Sequence, residues 1–461
     1  MSVEIRNPAN PSEVVASFPT ITPDDVPALI STARAAQKGW AKIPQPERGR
    51  IVNTFLDGLE ARREDIATAI TREMGKIIGE SRGEVNKALG EGRAATARAS
   101  AAIGEVLPSQ RPGTVTYSTR RPRGVIVGIN PWNFPFSTPI RKTIPALVYG
   151  NAMVLKPSVS TPGAAFIMQE VADATLPDGL FQIAYGSGRL GSALTSADGV
   201  DAISFTGSVE IGRIVAQAAA ANLAEISLEL GGKNPVIVND ASDLEAVLNQ
   251  IYAAAFAVCG QRCTAISRVI VHRDLEAAVV EGLASRAKAA QIGDGLDAAT
   301  TIGPLMGEKA RDDVAGFVER SLAAGARAAA GGAPIEQNGG YFYAPTILSN
   351  VTPDMEIARD EVFGPVLAVI PYDTPDEALA ICNDVEFGLS ACLYSEQTPL
   401  VERFIAEAES GMIHINSGSF PEDHTPFVGV KNSSLGVGGS NGNSTLHFYT
   451  QEHTVYRKAQ A

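Results

Sequence analysis

Hydrophobic residues recur with two different periods along this chain, and the change of period divides it into regions. The first hundred residues follow a helical period, with apolar positions on one face of segments near 23–33 and 51–59. Around 113–121 the pattern alternates at every second residue, which is typical of a half-exposed β-strand. The same alternation returns at 445–450 and 453–456, so we predict an exposed two-stranded arm suited to contact another subunit.

From residue 124 onwards, short apolar runs alternate with amphipathic helical stretches. Runs at 125–129, 152–155, 202–205 and 235–238 predict four buried parallel strands of one sheet. Strands of this kind, separated by helices, build a doubly wound α/β sheet whose strand ends can hold a dinucleotide. A second α/β region is predicted to begin near residue 239.

Composition narrows the class of protein. The chain has 461 residues, 45% hydrophobic and 19% charged, which predicts a packed globular protein of more than one domain. A formal net charge of −13 argues against a nucleic-acid partner, because binding a phosphate backbone requires a basic face. The N-terminus lacks the features of a signal peptide and no uncharged apolar run reaches about 18 residues, so we expect no membrane contact and a cytoplasmic location.

The cysteines indicate a reducing compartment. Four cysteines do not make a disulfide framework for a chain of this size. Cys259 and Cys263 are close in sequence, but His272 is the only histidine nearby and no further cysteine completes a zinc pattern. No metal site is therefore predicted.

One cysteine and one glutamate stand in segments suited to covalent catalysis. Cys263 lies in the turn-prone segment 260–265, and Glu229 precedes the bend at Gly231 and Gly232. A thiol nucleophile with a carboxylate base can form and then hydrolyse a thioester. A buried inert thiol and a solvated surface glutamate are the alternative. These residues alone leave both interpretations open.

A glycine pattern at residues 186–191 spells GxGxxG. In a dinucleotide-binding fold this fingerprint opens the first βα unit and has an acidic ribose partner about 20 residues on. Here the pattern comes late, and Asp198 and Asp201 follow it too soon. We interpret it as a tight turn.

Six motifs follow one another along the chain. They are Pro131-Trp132-Asn133-Phe134-Pro135, Val154-Leu155-Lys156-Pro157-Ser158, Phe205-Thr206-Gly207-Ser208, Glu229-Leu230-Gly231-Gly232-Lys233, Gly260-Gln261-Arg262-Cys263 and Glu361-Val362-Phe363-Gly364-Pro365. In this order and spacing they resemble the NAD(P)-dependent aldehyde dehydrogenase superfamily, including its succinate-semialdehyde and α-ketoglutarate-semialdehyde dehydrogenases, across essentially the whole chain.

The resemblance implies three structural parts. An NAD(P)-binding, Rossmann-like domain would comprise residues 1–103 and 122–231, and a second α/β catalytic domain residues 232–430. A small β oligomerisation arm would comprise 104–121 and 431–461. A homodimer or homotetramer is expected.

The same resemblance implies the roles of three catalytic residues. Cys263 would add to an aldehyde and form a thiohemiacetal, whose oxyanion the Asn133 amide and the Cys263 backbone N–H stabilise by about 2.7–4 kcal/mol each. After hydride transfer, water activated by Glu229 would hydrolyse the thioester. The presence of Glu229 favours hydrolysis over CoA acylation, the alternative in which a thiol resolves the thioester. All three residues together argue against a non-catalytic descendant.

The resemblance also implies NAD or NADP as cofactor. The residues that it assigns to cofactor binding are Trp132, Lys156, Ser158, Gly207, Ser208, Gly231, Glu361 and Phe363. NAD-specific relatives often carry a glutamate three residues after the lysine, where it repels a 2′-phosphate. This chain has Val159 there, so NADP is predicted to be tolerated or preferred.

Candidate substrate contacts are Arg141, Arg262 and His424. Succinate-semialdehyde dehydrogenases have an arginine corresponding to Arg141 that binds the distal carboxylate, a task suited to a guanidinium, although a structural ion pair is equally open. Their second arginine is replaced here by Val258. The loop 417–425 carries Glu422 and Asp423, which argue against a strongly anionic substrate unless they point away.

We therefore predict oxidation of a small semialdehyde, such as succinate semialdehyde, to the carboxylic acid. An aliphatic or aromatic aldehyde without a carboxylate is the alternative. The residues from 426 to 439 depart from the usual family pattern, and this departure leaves the substrate open.

Overall fold

A computed structural model describes residues 2–458. Within that range it contains 22 strands and 15 α-helices, numbered here in chain order. The strands are β1 Ser2–Asn7, β2 Asn10–Pro19, β3 Val106–Leu107, β4 Thr114–Pro122, β5 Val125–Ile129, β6 Ala152–Lys156, β7 Phe181–Ile183, β8 Ala202–Thr206, β9 Glu225–Glu229, β10 Asn234–Val238, β11 Ile266–His272, β12 Arg327–Ala330, β13 Pro334–Ile335, β14 Phe342–Tyr343, β15 Thr346–Ser349, β16 Val366–Tyr372, β17 Phe387–Gly388, β18 Ser390–Tyr394, β19 Met412–Ile415, β20 Val430–Lys431, β21 Ser434–Gly436 and β22 Thr450–Lys458. The helices are α1 Val26–Trp40, α2 Gln45–Ala61, α3 Arg63–Met74, α4 Ile78–Ala97, α5 Ser137–Val148, α6 Gly163–Thr175, α7 Gly188–Thr195, α8 Val209–Ala221, α9 Leu244–Phe256, α10 Glu276–Ala289, α11 Glu308–Ala323, α12 Glu356–Arg359, α13 Pro375–Asn383, α14 Thr398–Glu407 and α15 Ser444–Tyr449.

The first sheet has six strands in the order β21-β9-β8-β5-β6-β7. All neighbours are parallel except β21, which pairs antiparallel with β9. Strand β5 is apolar along its length and nearly all buried, because helices cover both faces of a parallel sheet. The chain runs outward from β5 to β6 and β7, then returns to β8 on the other side. This reversal opens a crevice at the carboxyl ends of β5 and β8, where doubly wound sheets bind ligands.

The second sheet has seven strands in the order β12-β15-β16-β11-β10-β18-β19. It is parallel apart from β12. The predicted strand at 235–238 exists, but it lies here as β10 and not in the first sheet. An apolar run predicts burial on both faces and says nothing about which sheet surrounds it, so its assignment to the first sheet was wrong.

The predicted arm forms a three-stranded sheet in the order β22-β4-β3. Strand β22 pairs with β4 over nine residues. The expected strand at 445–450 was wrong, because residues 444–449 form helix α15. Thr445, Phe448 and Tyr449 face the core at helical spacing, and their burial prevails over the local alternation.

Two further segments differ from expectation. Ser434–Gly436, expected in the arm, instead extends the first sheet through the pairing of Ser434 with Glu229. Residues 186–191 are not a tight turn, because Ser187 precedes helix α7 and Leu190 and Leu194 anchor that helix in the core. Among residues 2–458, no helix is long and apolar enough to cross a membrane.

Candidate active site

A cavity of about 580 Å³ lies where the two sheets meet. The loops that follow β5, β8 and β9 line one wall, and the loops that precede β11 and β16 line the other. The carboxyl ends of the first sheet therefore face the amino ends of the second. The connection 230–233 passes from β9 directly into β10 and joins the two walls.

Most of the residues singled out from the sequence line this one cavity. They are Trp132, Asn133, Arg141, Gly207, Ser208, Glu229, Gly231, Arg262, Cys263, Glu361 and Phe363. Three others lie outside its lining. Lys156 is buried at the carboxyl end of β6 and Ser158 follows it, while His424 is exposed on the loop 417–425, 3.7 Å from the Glu422 carboxylate. His424 instead lines a small crevice that it shares with Arg141 and Asp423.

The segment before Cys263 has an unusual backbone. Val258 and Cys259 adopt left-handed conformations with φ of 59° and 54°, and Gly260 follows with φ of 69°. A β-branched residue in this region costs on the order of 1–3 kcal/mol, so the surroundings must enforce it. A Cβ at Gly260 would collide with the carbonyl of Gly364, which explains the glycine.

Buried amides hold the thiol-bearing loop in place. The Asn234 side chain donates to the carbonyls of Cys263 and Ala265 at 2.7 and 2.9 Å. From the opposite wall, the Asn133 side chain donates to the Gln261 carbonyl at 3.0 Å. Asn133 therefore reaches the backbone two residues before Cys263, and both residues line the cavity. Asn234 had not been recognised from the sequence, although it follows the Gly231–Lys233 motif directly.

A buried ion pair holds the loop that carries Asn133. Lys76 Nζ lies 2.6 Å from Glu84 Oε2 and donates to the Asn133 carbonyl at 2.7 Å, and both side chains are at most 1% exposed. The second Glu84 oxygen accepts from the backbone N–H groups of Phe136 and Ser137 at 2.9 and 3.0 Å. This ion pair was not predicted from the sequence, because the backbone groups that Lys76 and Glu84 bind lie more than 50 residues away.

Glu229 ends β9 with its carboxylate buried and unbonded. It is 3% exposed, and neither oxygen has a hydrogen-bond partner in the described part of the chain. Burial raises the pKa of this carboxyl, while the nearby Lys142 and Arg141 oppose the shift. Lys142 donates to Ser204 and Thr206 at 2.9 and 2.8 Å, and burial lowers its pKa. An unbonded buried carboxylate facing a cavity is suited to accept a proton from water.

The thiol of Cys263 is protonated at neutral pH in this environment. Burial raises its pKa to about 11, and the negative charges of Glu361 and Glu229 add to the effect. Arg141 and Arg262 act in the opposite direction but do not offset it. A nucleophilic thiolate here therefore needs a base or a further positive charge in the cavity.

The dinucleotide side of the cavity has the features that such a ligand needs. Trp132 and Phe363 meet edge to face at 5.5 Å between ring centroids. Ser208 caps helix α8, so free N–H groups at its N-terminus face the cavity and favour anions. Glu361 accepts from the Gly232 N–H at 3.0 Å and packs against Gly231, where a Cβ would collide with it. These residues fit a pyrophosphate and a ribose.

The two candidate arginines have different surroundings. Arg141 forms a bidentate ion pair with Glu91, in which Nε and one terminal nitrogen donate to the carboxylate at 2.8 and 2.6 Å. The other terminal nitrogen of Arg141 has no acceptor in residues 2–458. Arg262 donates to the Ala254 carbonyl at 2.7 Å. Each guanidinium also covers an aromatic ring of the cavity, Arg141 over Phe427 at 5.0 Å and Arg262 over Phe420 at 4.5 Å.

The acids of the loop 417–425 do not enter the cavity. Asp423 accepts from Lys87 at 2.8 Å, and Glu422 is absent from the lining. They therefore present no unpaired negative charge to a ligand. Among the described residues, no group of three or more histidine, cysteine or acidic side chains is arranged to hold a metal ion.

Comparison with known proteins identifies the class. The aldehyde dehydrogenase family model matches residues 1–455, so the chain belongs to this family and is an NAD(P)-dependent aldehyde dehydrogenase with that fold. It is 39% identical to an alpha-ketoglutaric semialdehyde dehydrogenase of Bacillus subtilis strain 168, over 99% of this chain and 94% of that protein. It is 36% identical to a betaine aldehyde dehydrogenase of Brucella anthropi, over 96% and 91%. A crystal structure of an E. coli NADP-dependent enzyme superposes with a TM-score of 0.96 at 33% identity, over 100% and 95%.

Proposed function

We propose that this enzyme oxidises a short semialdehyde with a terminal carboxylate, such as succinate or α-ketoglutarate semialdehyde. The single observation that carries this substrate class is Arg141. Glu91 fixes one edge of its guanidinium, and the remaining nitrogen is available for a ligand carboxylate. The likeness to an alpha-ketoglutaric semialdehyde dehydrogenase supports the same class.

In the proposed mechanism, the sulfur of Cys263 bonds to the aldehyde carbon as the C=O π bond opens, and the thiol proton ends on the carbonyl oxygen of the resulting thiohemiacetal. Asn133 donates its side-chain N–H to the developing oxyanion, together with the backbone N–H of Cys263. NAD(P), when bound, would supply the hydride acceptor for this carbon, and the hydroxyl proton would pass to solvent as the thioester forms. Glu229 then takes a proton from water as the water oxygen attacks the thioester carbon. The C–S bond breaks, the carboxylic acid is released, and the proton on Glu229 returns to the sulfur of Cys263. These assignments are supported by the position of all three residues on one cavity.

We further propose that Ser208, Glu361 and Lys156 hold NAD(P), with Trp132 and Phe363 beside the nicotinamide. Lys156 lies at the carboxyl end of β6, next to the crevice strand β5. Val159 is exposed just beyond it, and this position presents no carboxylate to repel a 2′-phosphate. NADP is therefore tolerated or preferred.

A cationic substrate such as betaine aldehyde is the second candidate, because relatives of that name are similar over the whole chain. Quaternary ammonium groups are bound over the faces of aromatic rings. Here guanidinium groups already cover Phe420 and Phe427. This occupation favours the carboxylated semialdehyde. Glu229 likewise favours hydrolysis over transfer to CoA.

The test is a screen of reduced-cofactor absorbance with purified protein. Succinate and α-ketoglutarate semialdehydes are compared with betaine aldehyde, butyraldehyde and benzaldehyde at equal concentrations. The proposal expects the largest kcat/KM among the carboxylated compounds. A higher value for betaine aldehyde or for a neutral aldehyde would contradict it.

We also propose that the arm formed by β3, β4 and β22 joins subunits into a homodimer or homotetramer. Its exposed apolar residues are Val106, Val115 and Tyr456. Exposed apolar side chains on a short sheet with open edges are suited to pairing between subunits. Light scattering after size exclusion should show an oligomer, and Val115→Asp with Tyr456→Asp should shift it toward monomer.

A further inference from the structure

The beginning of helix α4 reaches both halves of the catalytic centre. Gly75 ends α3 in a left-handed conformation, and α4 starts at Ile78, whose N–H donates to the Gly295 carbonyl at 2.8 Å. The junction therefore packs against the part of the chain that forms the second sheet. Glu80 and Glu84 stand one helical turn apart, and both line the cavity.

The two glutamates hold different loops. Glu84, paired with Lys76, binds the loop of Asn133 as described above. Glu80 Oε1 accepts from the backbone N–H of Val258 at 2.7 Å. Val258 begins the left-handed run that leads to Cys263, and valine does not favour that conformation. This hydrogen bond crosses from α4, which packs with the first sheet, to the loop that precedes β11.

Glu80 has no other task in the proposed reaction. Its other ionic neighbours, Lys76 and Arg262, each have a separate anchor in the Asn133 and Ala254 carbonyls. The Glu80 carboxylate also accepts from the Ile77 backbone at the start of its own helix, so the bond from Val258 N–H is the contact that links it to the thiol-bearing loop. Loss of that contact would leave a buried N–H unpaired and would let Val258 return to an ordinary backbone conformation.

We propose that Glu80 is a positioning residue, which holds Val258 left-handed and thereby sets the place of the Cys263 thiol relative to the Asn133 amide. The inference rests on the proposed role of Cys263 as nucleophile. It assigns to Glu80 a geometric function that depends on the length of its side chain and on an acceptor oxygen. Its charge is not required.

Two conservative substitutions separate length from charge. Glu80→Gln keeps the length and an acceptor oxygen but removes the charge, whereas Glu80→Asp keeps the charge but withdraws the oxygen from Val258. Misplacement of a reacting group by about 1 Å costs on the order of 100-fold. We expect kcat of Glu80→Asp to fall about 10- to 100-fold, with KM and the Kd for NADP within about threefold of the wild type. Glu80→Gln should keep kcat within about threefold.

A second-site change tests the backbone conformation itself. Glycine adopts positive φ freely, so Val258→Gly should make Glu80 less necessary. The Glu80→Asp loss should then shrink to about threefold in the Val258→Gly background. Should Glu80→Asp alone fail to fold, recovery of folding and turnover in the double variant supports the inference, and no recovery contradicts it.

The matched control is Glu64→Asp, which shortens an exposed carboxylate of α3 that pairs at 3.0 Å with Arg82 of α4, the helix of Glu80. It should leave kcat unchanged. Equal losses in Glu80→Gln and Glu80→Asp would overturn the inference, as would wild-type turnover in Glu80→Asp.

The rate at which iodoacetamide alkylates Cys263 can be measured by peptide mass spectrometry and does not depend on turnover. This rate should differ between Glu80→Asp and the wild type. Should Cys263→Ala remain active, the proposed function fails whatever Glu80 does. If Cys263→Ala is inactive while Glu80→Asp is alkylated and turns over normally, only the inference on Glu80 fails.

Discussion

The two walls of the cavity are built in different ways. On the first wall, Ser208 and Glu229 follow the carboxyl ends of parallel strands, where loops and a helix N-terminus present their N–H groups without backbone strain. On the second wall, Val258, Cys259 and Phe363 all have positive φ. The first wall relies on regular structure. The second wall, which would carry the nucleophile and also Glu361 and Phe363 of the cofactor site, depends on conformations imposed by its neighbours.

This difference predicts how sensitive each wall is to amino-acid substitution. The first wall should keep its backbone geometry after conservative changes, because strands and helices hold its residues. The second wall should lose turnover when its supports are altered, while the first still binds cofactor. The following changes test this contrast, from the largest expected effect to the smallest.

Removal of the Cys263 thiol should distinguish the two walls most clearly, because it affects turnover and leaves cofactor binding intact. Cys263→Ala should lower turnover by at least about a thousandfold, because no other group on the cavity replaces the nucleophile. NADP binding, measured by calorimetry, should stay within about threefold, since the first wall is intact. Substantial residual dehydrogenase activity would contradict the assignment. Cys392→Ala, in the buried core of the second sheet, serves as the control cysteine.

The carboxylate of Glu229 should control a later step and its pH dependence. Glu229→Gln should retain a burst of reduced cofactor and slow steady turnover about 100-fold or more, because the thioester then lacks a base. Burial raises the pKa of Glu229, so the active, deprotonated form grows as pH rises. Wild-type turnover should therefore increase between about pH 6 and 9.

Stopped-flow absorbance across that range separates burst from steady state. A Glu229→Gln enzyme with no burst would show that the glutamate acts before hydride transfer. A wild-type steady rate independent of pH would contradict its role as the base.

Discrimination between carboxylated and neutral aldehydes should depend on the planar guanidinium of Arg141. Arg141→Lys keeps a charge beside Glu91 but cannot bind two carboxylates with fixed geometry. The ratio of kcat/KM for succinate semialdehyde to that for butyraldehyde, the neutral analogue of equal chain length, should fall about tenfold. Equal losses for both compounds would show that Arg141 only supports the fold through Glu91.

An effect of similar size, confined to one cofactor, is expected at Val159, which follows β6 beside the first wall. Val159→Glu should lower kcat/KM for NADP about tenfold through repulsion of the 2′-phosphate, and NAD should change little. Val159→Gln, of equal size and no charge, is the matched control. A wild-type preference of tenfold or more for NAD would contradict the proposed tolerance of NADP.

Sequence patterns predicted regular elements well and their surroundings poorly. Strand β5 was predicted with its observed bounds, since an apolar run between glycine and proline has few other solutions. Strand β10 was predicted as a strand but placed in the wrong sheet, because its neighbours lie far away in sequence. Residues 444–449 alternate between apolar and polar side chains yet form a helix, because the helix buries one of its faces in the core.

The candidate site divides in the same manner. Cys263, Glu229 and Asn133 stand in recognisable motifs, and the structure places all three on one cavity. Lys142, Asn234 and the pair of Lys76 with Glu84 carry no signal of their own, because their partners lie dozens of residues away. His424, close to a family motif in sequence, lies outside the lining of the cavity but shares a small crevice with Arg141.

By itself, the sequence determined the family, the apolar strands and the chemistry of the reacting groups, since these depend on residue identity and local order. Only the tertiary structure decided which groups are buried, paired or strained. It showed that the Glu229 carboxylate has no hydrogen-bond partner among residues 2–458, that Arg141 is paired with Glu91, and that Glu80 accepts from Val258 N–H. The physical reason is that burial and hydrogen bonding depend on elements distant in the chain, whereas periodicity records only each element's own two faces.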